Sequence, residues 1–146
     1  MTLTRDQIAE MLARTRLFAG VDSPGLERIA ARMTELDVPA GRVIARQGEI
    51  GTGFFIVVSG AVRVVRDGET LAELGPGAFF GELSLIDQEP RVAQVVSSEP
   101  TACLALASWD FEAIVGEQPS VAMAILRELA RRLRELTREL TESHHH

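Results

Sequence analysis

The stretch "VRVVRDGETLAEL", Val62 to Leu74, decides the fold. Two short runs, the first rich in β-branched valine, meet at Asp67-Gly68, a dipeptide that favours the positive φ angles of a two-residue hairpin turn. The pattern extends outward on both sides. From Met33 to about Leu106 the chain is built of short runs rich in valine and isoleucine, punctuated by Gly41, Gly48, Gly51, Gly53, Gly60, Gly68, Gly75, Gly77 and Gly81. Many short strands with closely spaced turn signals indicate an antiparallel barrel or jelly-roll sandwich, not a parallel sheet with crossover helices.

Helical periodicity flanks this region. Ile8, Met11, Leu12 and Leu26, Ile29, Ala30 fall at helical spacing between Arg5 and Arg32, with Ser23 before Pro24 as the expected N-cap and first-turn pair. Ser108 is expected to cap a short helix, and Pro119 to stand near the start of a long one reaching about Thr141. In the long helix Leu126, Leu129, Leu133, Leu136 and Leu140 follow spacings of 3, 4, 3 and 4, a heptad seam that Ala122 extends backwards. Two readings of that stripe stay open. It packs on the domain's own barrel, or, with Ile125 and Met123 as a second apolar edge, one side faces the barrel and the other a partner helix in a homodimer.

The chain has 146 residues, enough for one domain with a real core. The expected organisation is a single domain over residues 1–143: N-terminal helices (1–32), a β-roll (33–107) and C-terminal helices (108–141). His144, His145 and His146 read as the remnant of a purification tag. A formal charge of -6 and the absence of lysine argue against a nucleic-acid face, which draws on clustered cations to displace counterions. The lone Cys103 excludes an internal disulfide and, within the apolar run Ala102 to Ala107, reads as a buried, inert thiol. No apolar stretch approaches the roughly 20 residues that cross a bilayer. The chain is therefore expected to be cytoplasmic, with no membrane partner of its own. A metal-dependent enzyme on a related roll needs histidines and carboxylates converging inside the barrel. The body of the chain holds no histidine, so no catalytic residue, metal or cofactor is expected.

One motif carries chemistry. In "FFGELSLIDQEPRVAQ", Phe79 to Gln94, a glycine and a glutamate precede an apolar run and Arg91 follows Glu82 by nine positions. If the residues after Gly81 turn into a short helix, the first free amides of Glu82, Leu83 and Ser84 point outward together and favour an anion. The Ser84 hydroxyl adds a donor, and Arg91 adds a full positive charge in a fork suited to phosphate. Glu82 would be repelled by a phosphate, so it should accept hydrogen bonds from a neighbouring hydroxyl pair such as a ribose offers. The alternative is a plain Glu82–Arg91 salt bridge pinning a loop, which gives no role to Gly81, Ser84 or the apolar Phe79 and Phe80.

These residues resemble the phosphate-binding cassette of the cyclic nucleotide-binding domain shared by catabolite activator proteins, protein kinase A regulatory subunits and cyclic-nucleotide-gated channels. The cassette stands here as Phe80 to Leu85 followed by Pro90, Arg91, Val92 and Ala93, and "LFAGV" (Leu17 to Val21), "VPAGRVIARQGEIGTGFFIVVSGAVRVV" (Val38 to Val65) and "LGPGAFFGE" (Leu74 to Glu82) agree with it. The resemblance implies a mainly β fold with flanking helices, an antiparallel β-roll of the double-stranded β-helix or jelly-roll kind, with a phosphate-binding cassette at residues 80–93 and cyclic AMP or cyclic GMP bound inside the roll. Carried over, Arg91 pairs with the cyclic phosphate, assisted by the amides of Ser84 and Ala93, with Val92 beside them. Glu82 takes the ribose 2′-hydroxyl, flanked by Gly81 and Leu83. Val64, Leu71, Leu74 and Phe80 would line the sugar and base pocket; the alternative for each is a plain core position. On the long helix Leu136, with Thr137 beside it, stands where catabolite activator proteins reach the adenine.

Val92 departs from the serine, threonine or alanine that many relatives carry there, so one phosphate contact is missing. The threonine that favours guanine is absent too, which tilts the expected ligand to cyclic AMP over cyclic GMP. The expected function is a regulatory ligand-binding module that signals through movement of the C-terminal helix. The alternatives are a degenerate domain that serves in dimerisation or interaction without a nucleotide, and the sensor part of a transcription regulator, channel or transporter.

Overall fold

The computed structural model describes residues 3–48, 53–87 and 89–143. Gly51 and the three terminal histidines lie outside these residues. The chain opens with α1 (Arg5–Ala13), where Thr4 and Gln7 form a reciprocal capping box, and α2 (Ser23–Arg32). The cap of α2 is Asp22, not Ser23: its carboxylate accepts from the Gly25 amide at 2.9 Å while Ser23 already lies in the first turn. A charged acceptor gains from the helix dipole where a hydroxyl gains less.

Among the described residues eight strands follow: β1 (Thr34–Val38), β2 (Val43–Ala45), β3 (Gly53–Ser59), β4 (Val62–Arg66), β5 (Glu69–Leu74), β6 (Phe79–Phe80), β7 (Gln94–Ser97) and β8 (Thr101–Ala107). They form two antiparallel four-stranded sheets, ordered β1-β8-β3-β6 and β2-β7-β4-β5. The Asp67-Gly68 turn has φ values of 51° and 82°, the paired positive angles of a type I′ hairpin, with Arg66 opposite Glu69. The register slips between Val64 and Val65, which leaves Leu71 as an extra residue in β5.

The core has two parts. One lies between the first sheet and the helices: Phe18 meets Phe54 edge-on at 5.3 Å and Phe111 at 6.4 Å, surrounded by Leu12, Ile29, Leu85 and Ile114. The other fills the roll itself with Ala45, Val57, Val62, Phe80, Val95 and Cys103. Burial there pushes the Cys103 thiol up to about 11, with Asp37 adding to the shift.

β8 passes directly into α4 (Ser108–Glu117). Ala107, extended at φ -73° and ψ 149°, is the last strand residue and also the N-cap, so Ser108 is a buried residue of the first turn and not the cap. Ala107 is still paired with Gly53, which leaves no turn in which a capping side chain could stand. Arg32 of α2 holds this helix through Asp110 at 3.4 Å and Glu117 at 3.0 Å. Finally α5 (Pro119–Ser143) lays Val121 and Ile125 into the core, with Ala124 and Leu129 packed against it. Leu126, Leu133, Leu136 and Leu140 of the heptad seam are exposed, as is Met123. The domain therefore takes one edge of the helix and leaves the leucine edge uncovered, and residues 133–142 are all exposed.

Candidate functional site

The site forms where β6 ends. Phe80 closes β6 and Gly81 turns the chain into α3 (Glu82–Asp87), with the first helical bond running from the Leu85 amide to the Gly81 carbonyl at 3.1 Å. The amides of Glu82, Leu83 and Ser84 thus precede the first bond within the helix. Gly81 is required twice over. Its φ is 86°, and a methyl group there would stand 2.5 Å from the Gly53 carbonyl oxygen and 3.1 Å from Arg91 Nη1.

Arg91 reaches this turn from the far side of the cassette. Its Nη2 donates to the Gly53 carbonyl oxygen at 2.8 Å, and its own carbonyl accepts from the Gly48 amide at 2.8 Å. Burial depresses the pKa of the guanidinium, and the nearby Glu82 carboxylate opposes that shift. No ion pair within 4.0 Å joins Glu82 to Arg91. The acid and the base thus share a field without neutralising one another by contact.

Between them lies an open cavity of about 180 Å³, lined by Val64, Phe80, Gly81, Glu82, Ser84, Arg91, Val92, Ala93 and Val95. One wall is apolar, from Val64, Phe80 and Val95; Phe80 is fixed by stacking on Phe55 at 5.0 Å. The lining also includes Arg91, Ser84 and Glu82, which bring a guanidinium, a hydroxyl and a carboxylate. Such a cavity suits a small ligand with an apolar face, an anionic group near Arg91 and Ser84, and a hydroxyl near Glu82.

The sequence motif and the cavity meet at Arg91, Ser84, Ala93, Val92, Glu82, Gly81, Val64 and Phe80. Val92 is at the rim, 74% exposed. The Leu83 side chain lies outside the described part of the structure. Leu71, Leu74, Leu136 and Thr137 stand apart from the lining: Leu71 is the exposed extra residue of β5, and Leu74 packs on the core inside the roll. Leu136 and Thr137 lie on the exposed half of α5, where the Thr137 hydroxyl donates to the Leu133 carbonyl at 2.8 Å. Val95 was missed in the sequence. Its signal is positional: it pairs with Val64 across β4 and β7, so both point into the roll.

Residues 35–118 match the family profile described as the cyclic nucleotide-binding domain. The chain is similar to the cyclic AMP receptor protein of Thermus thermophilus, 44% identical over 107 residues that make up 70% of this chain and 50% of the receptor. It is also similar to the cyclic nucleotide-gated potassium channel mll3241 of Mesorhizobium japonicum, 40% identical over 113 residues, 77% of this chain and 31% of the channel. The chain thus spans half or less of the length of these two relatives. Among solved structures, the N-terminal domain of a transcriptional regulator from Streptomyces coelicolor superimposes with a TM-score of 0.81 at 34% identity, covering 89% of this chain and 94% of that one.

Proposed function

The chain belongs to the cyclic nucleotide-binding domain family, and we propose on that premise that its cavity takes cyclic AMP in preference to cyclic GMP and signals through α5. The observation that carries this reading is the convergence of Arg91, Ser84 and Glu82 on one small cavity with an apolar wall. Arg91 and the first-turn amides suit the cyclic phosphate, whose charge is spread over two exocyclic oxygens. Glu82 suits the ribose 2′-hydroxyl, since a carboxylate with no contact to Arg91 keeps its acceptor capacity. The base then extends toward the rim at Val92. Valine has no hydroxyl for the 2-amino group of guanine, which favours adenine. The resemblance to a protein named as a cyclic AMP receptor supports the same choice.

In this reading the output passes through α5. Its leucine edge, Leu126, Leu133, Leu136 and Leu140, is exposed at heptad spacing and matches what a paired helix buries, so a second copy of the chain is the expected partner. A bound nucleotide can redistribute α5 only through unequal affinity for its positions. The effector attached to it would be that of a transcription regulator, a channel or a transporter.

Calorimetric titration with cyclic AMP and cyclic GMP, beside an Arg91→Ala variant, tests the reading. Heat with cyclic AMP that Arg91→Ala abolishes supports it. Absence of heat with either nucleotide rejects it in favour of a domain that keeps the fold and dimerises without a ligand.

A further inference from the structure

The segment that delivers Arg91 is β7 and the three residues before it. β7 lies between β2 and β4 in the second sheet, and Gln94, its first residue, is opposite Val65 near the end of β4. At this end of the sheet the neighbours on both sides are tied together. Gln47, two residues beyond β2, donates from Nε2 to Asp67 Oδ1 at 2.8 Å, and its Oε1 accepts from the Asp67 backbone amide at 3.1 Å. Asp67 is the first residue of the β4–β5 turn, and Gly48, next to Gln47, donates its amide to the Arg91 carbonyl at 2.8 Å. Two sets of hydrogen bonds, Asp67 to the Gln47 side chain and the Gly48 amide to the Arg91 carbonyl, are thus joined through the Gln47–Gly48 peptide.

We propose that Gln47 is a positioning residue for Arg91: by clasping Asp67 it locks the loop whose Gly48 amide fixes the arginine's backbone in the cavity wall. The inference rests on the reading of that cavity as a cyclic-nucleotide site. The chemistry is specific to a carboxamide, which has the one donor and one acceptor that the Asp67 carboxylate and amide demand. A glutamate in its place keeps the acceptor but sets a second carboxylate against Asp67. Neither residue lines the cavity, so an effect on the ligand must travel through Gly48 and Arg91.

The test is a cycle of three variants, Gln47→Glu, Asp67→Asn and the two combined, with cyclic AMP affinity and hydrogen exchange at the Gly48 amide as readouts. Gln47→Glu should weaken binding about five- to tenfold and speed Gly48 exchange in the ligand-free chain, as loss of a clasp worth about one to two hydrogen bonds implies. Adding Asp67→Asn restores a donor opposite the new carboxylate, and both readouts should return toward wild type. If wild type binds and Gln47→Glu binds equally well, or if Asp67→Asn fails to rescue it, the positioning role is overturned while the nucleotide reading stands. If wild type binds no cyclic nucleotide, both fall.

Discussion

The Arg91 guanidinium occupies the space that a side chain at Gly81 would need: a methyl group there would come within 3.1 Å of Nη1, and within 2.5 Å of the carbonyl that Nη2 holds. The two residues are ten apart in sequence and form one unit in space. Gly81→Ala should therefore disturb the arginine and the backbone together. A non-glycine residue at positive φ costs about 1–2 kcal/mol before any clash. We expect a loss of at least about 2 kcal/mol of stability, read by urea unfolding, and a fall of tenfold or more in cyclic AMP affinity.

In the proposed reading Glu82 serves a ligand hydroxyl and not Arg91, which a ligand-based cycle can separate. Wild type should prefer cyclic AMP to its 2′-deoxy analogue by about tenfold or more, the worth of a hydrogen bond to a charged acceptor. Glu82→Ala should bind both ligands alike. Equal discrimination by the two proteins would place the carboxylate elsewhere.

The alkaline limb of the stability profile isolates a single buried group. The chain contains no lysine and no tyrosine, so Cys103 is the side chain that titrates between the α-amino group and the arginines. Its folded pKa is raised from 9.0 to about 11 because burial disfavours the thiolate. Stability from this group is complete below pH 9.0 and is lost as pH rises through about 11, because the unfolded chain releases the proton first. The total loss is on the order of 2–3 kcal/mol. In Cys103→Ala the same limb, followed by urea midpoints from pH 8 to 11, should be flat.

The two edges of α5 should respond oppositely to substitution. Ile125, 3% exposed, contributes to the core, and Ile125→Ala should cost about 2–4 kcal/mol. Leu133 and Leu136 are 65% and 55% exposed, so Leu133→Glu with Leu136→Glu should leave the stability of a lone domain within about 1 kcal/mol. The same pair should turn a dimer into a monomer in sedimentation at micromolar concentration.

What was legible in the sequence is what local chemistry dictates. Asp67-Gly68 specifies its turn because few dipeptides tolerate two positive φ angles, and the cassette from Phe80 to Ala93 specifies a helix start facing an arginine. Other features depend on partners that sequence order conceals. Asp22 caps α2 in place of Ser23, and Ala107 starts α4 in place of Ser108, because tertiary position decides which neighbour is free to cap. The resemblance implied Leu71 beside Val64 in the pocket, yet one extra residue in β5 leaves it exposed. The heptad count found the leucines of α5, while the division between Ile125 and Leu133 follows from where the helix leaves the body. The Gln47–Asp67 clasp joins residues 20 apart with no periodic signature.

The direct passage of β8 into α4 has a consequence for how this domain tolerates change in length. Ala107 is paired with Gly53 in the sheet and at the same time opens the helix, so no slack separates the two. One inserted residue would rotate α4 by about 100° relative to the sheet. Phe111 and Ile114 would swing out of the core and Asp110 away from Arg32. This junction works as a gear tooth, and its residue count is fixed by the angle it must deliver.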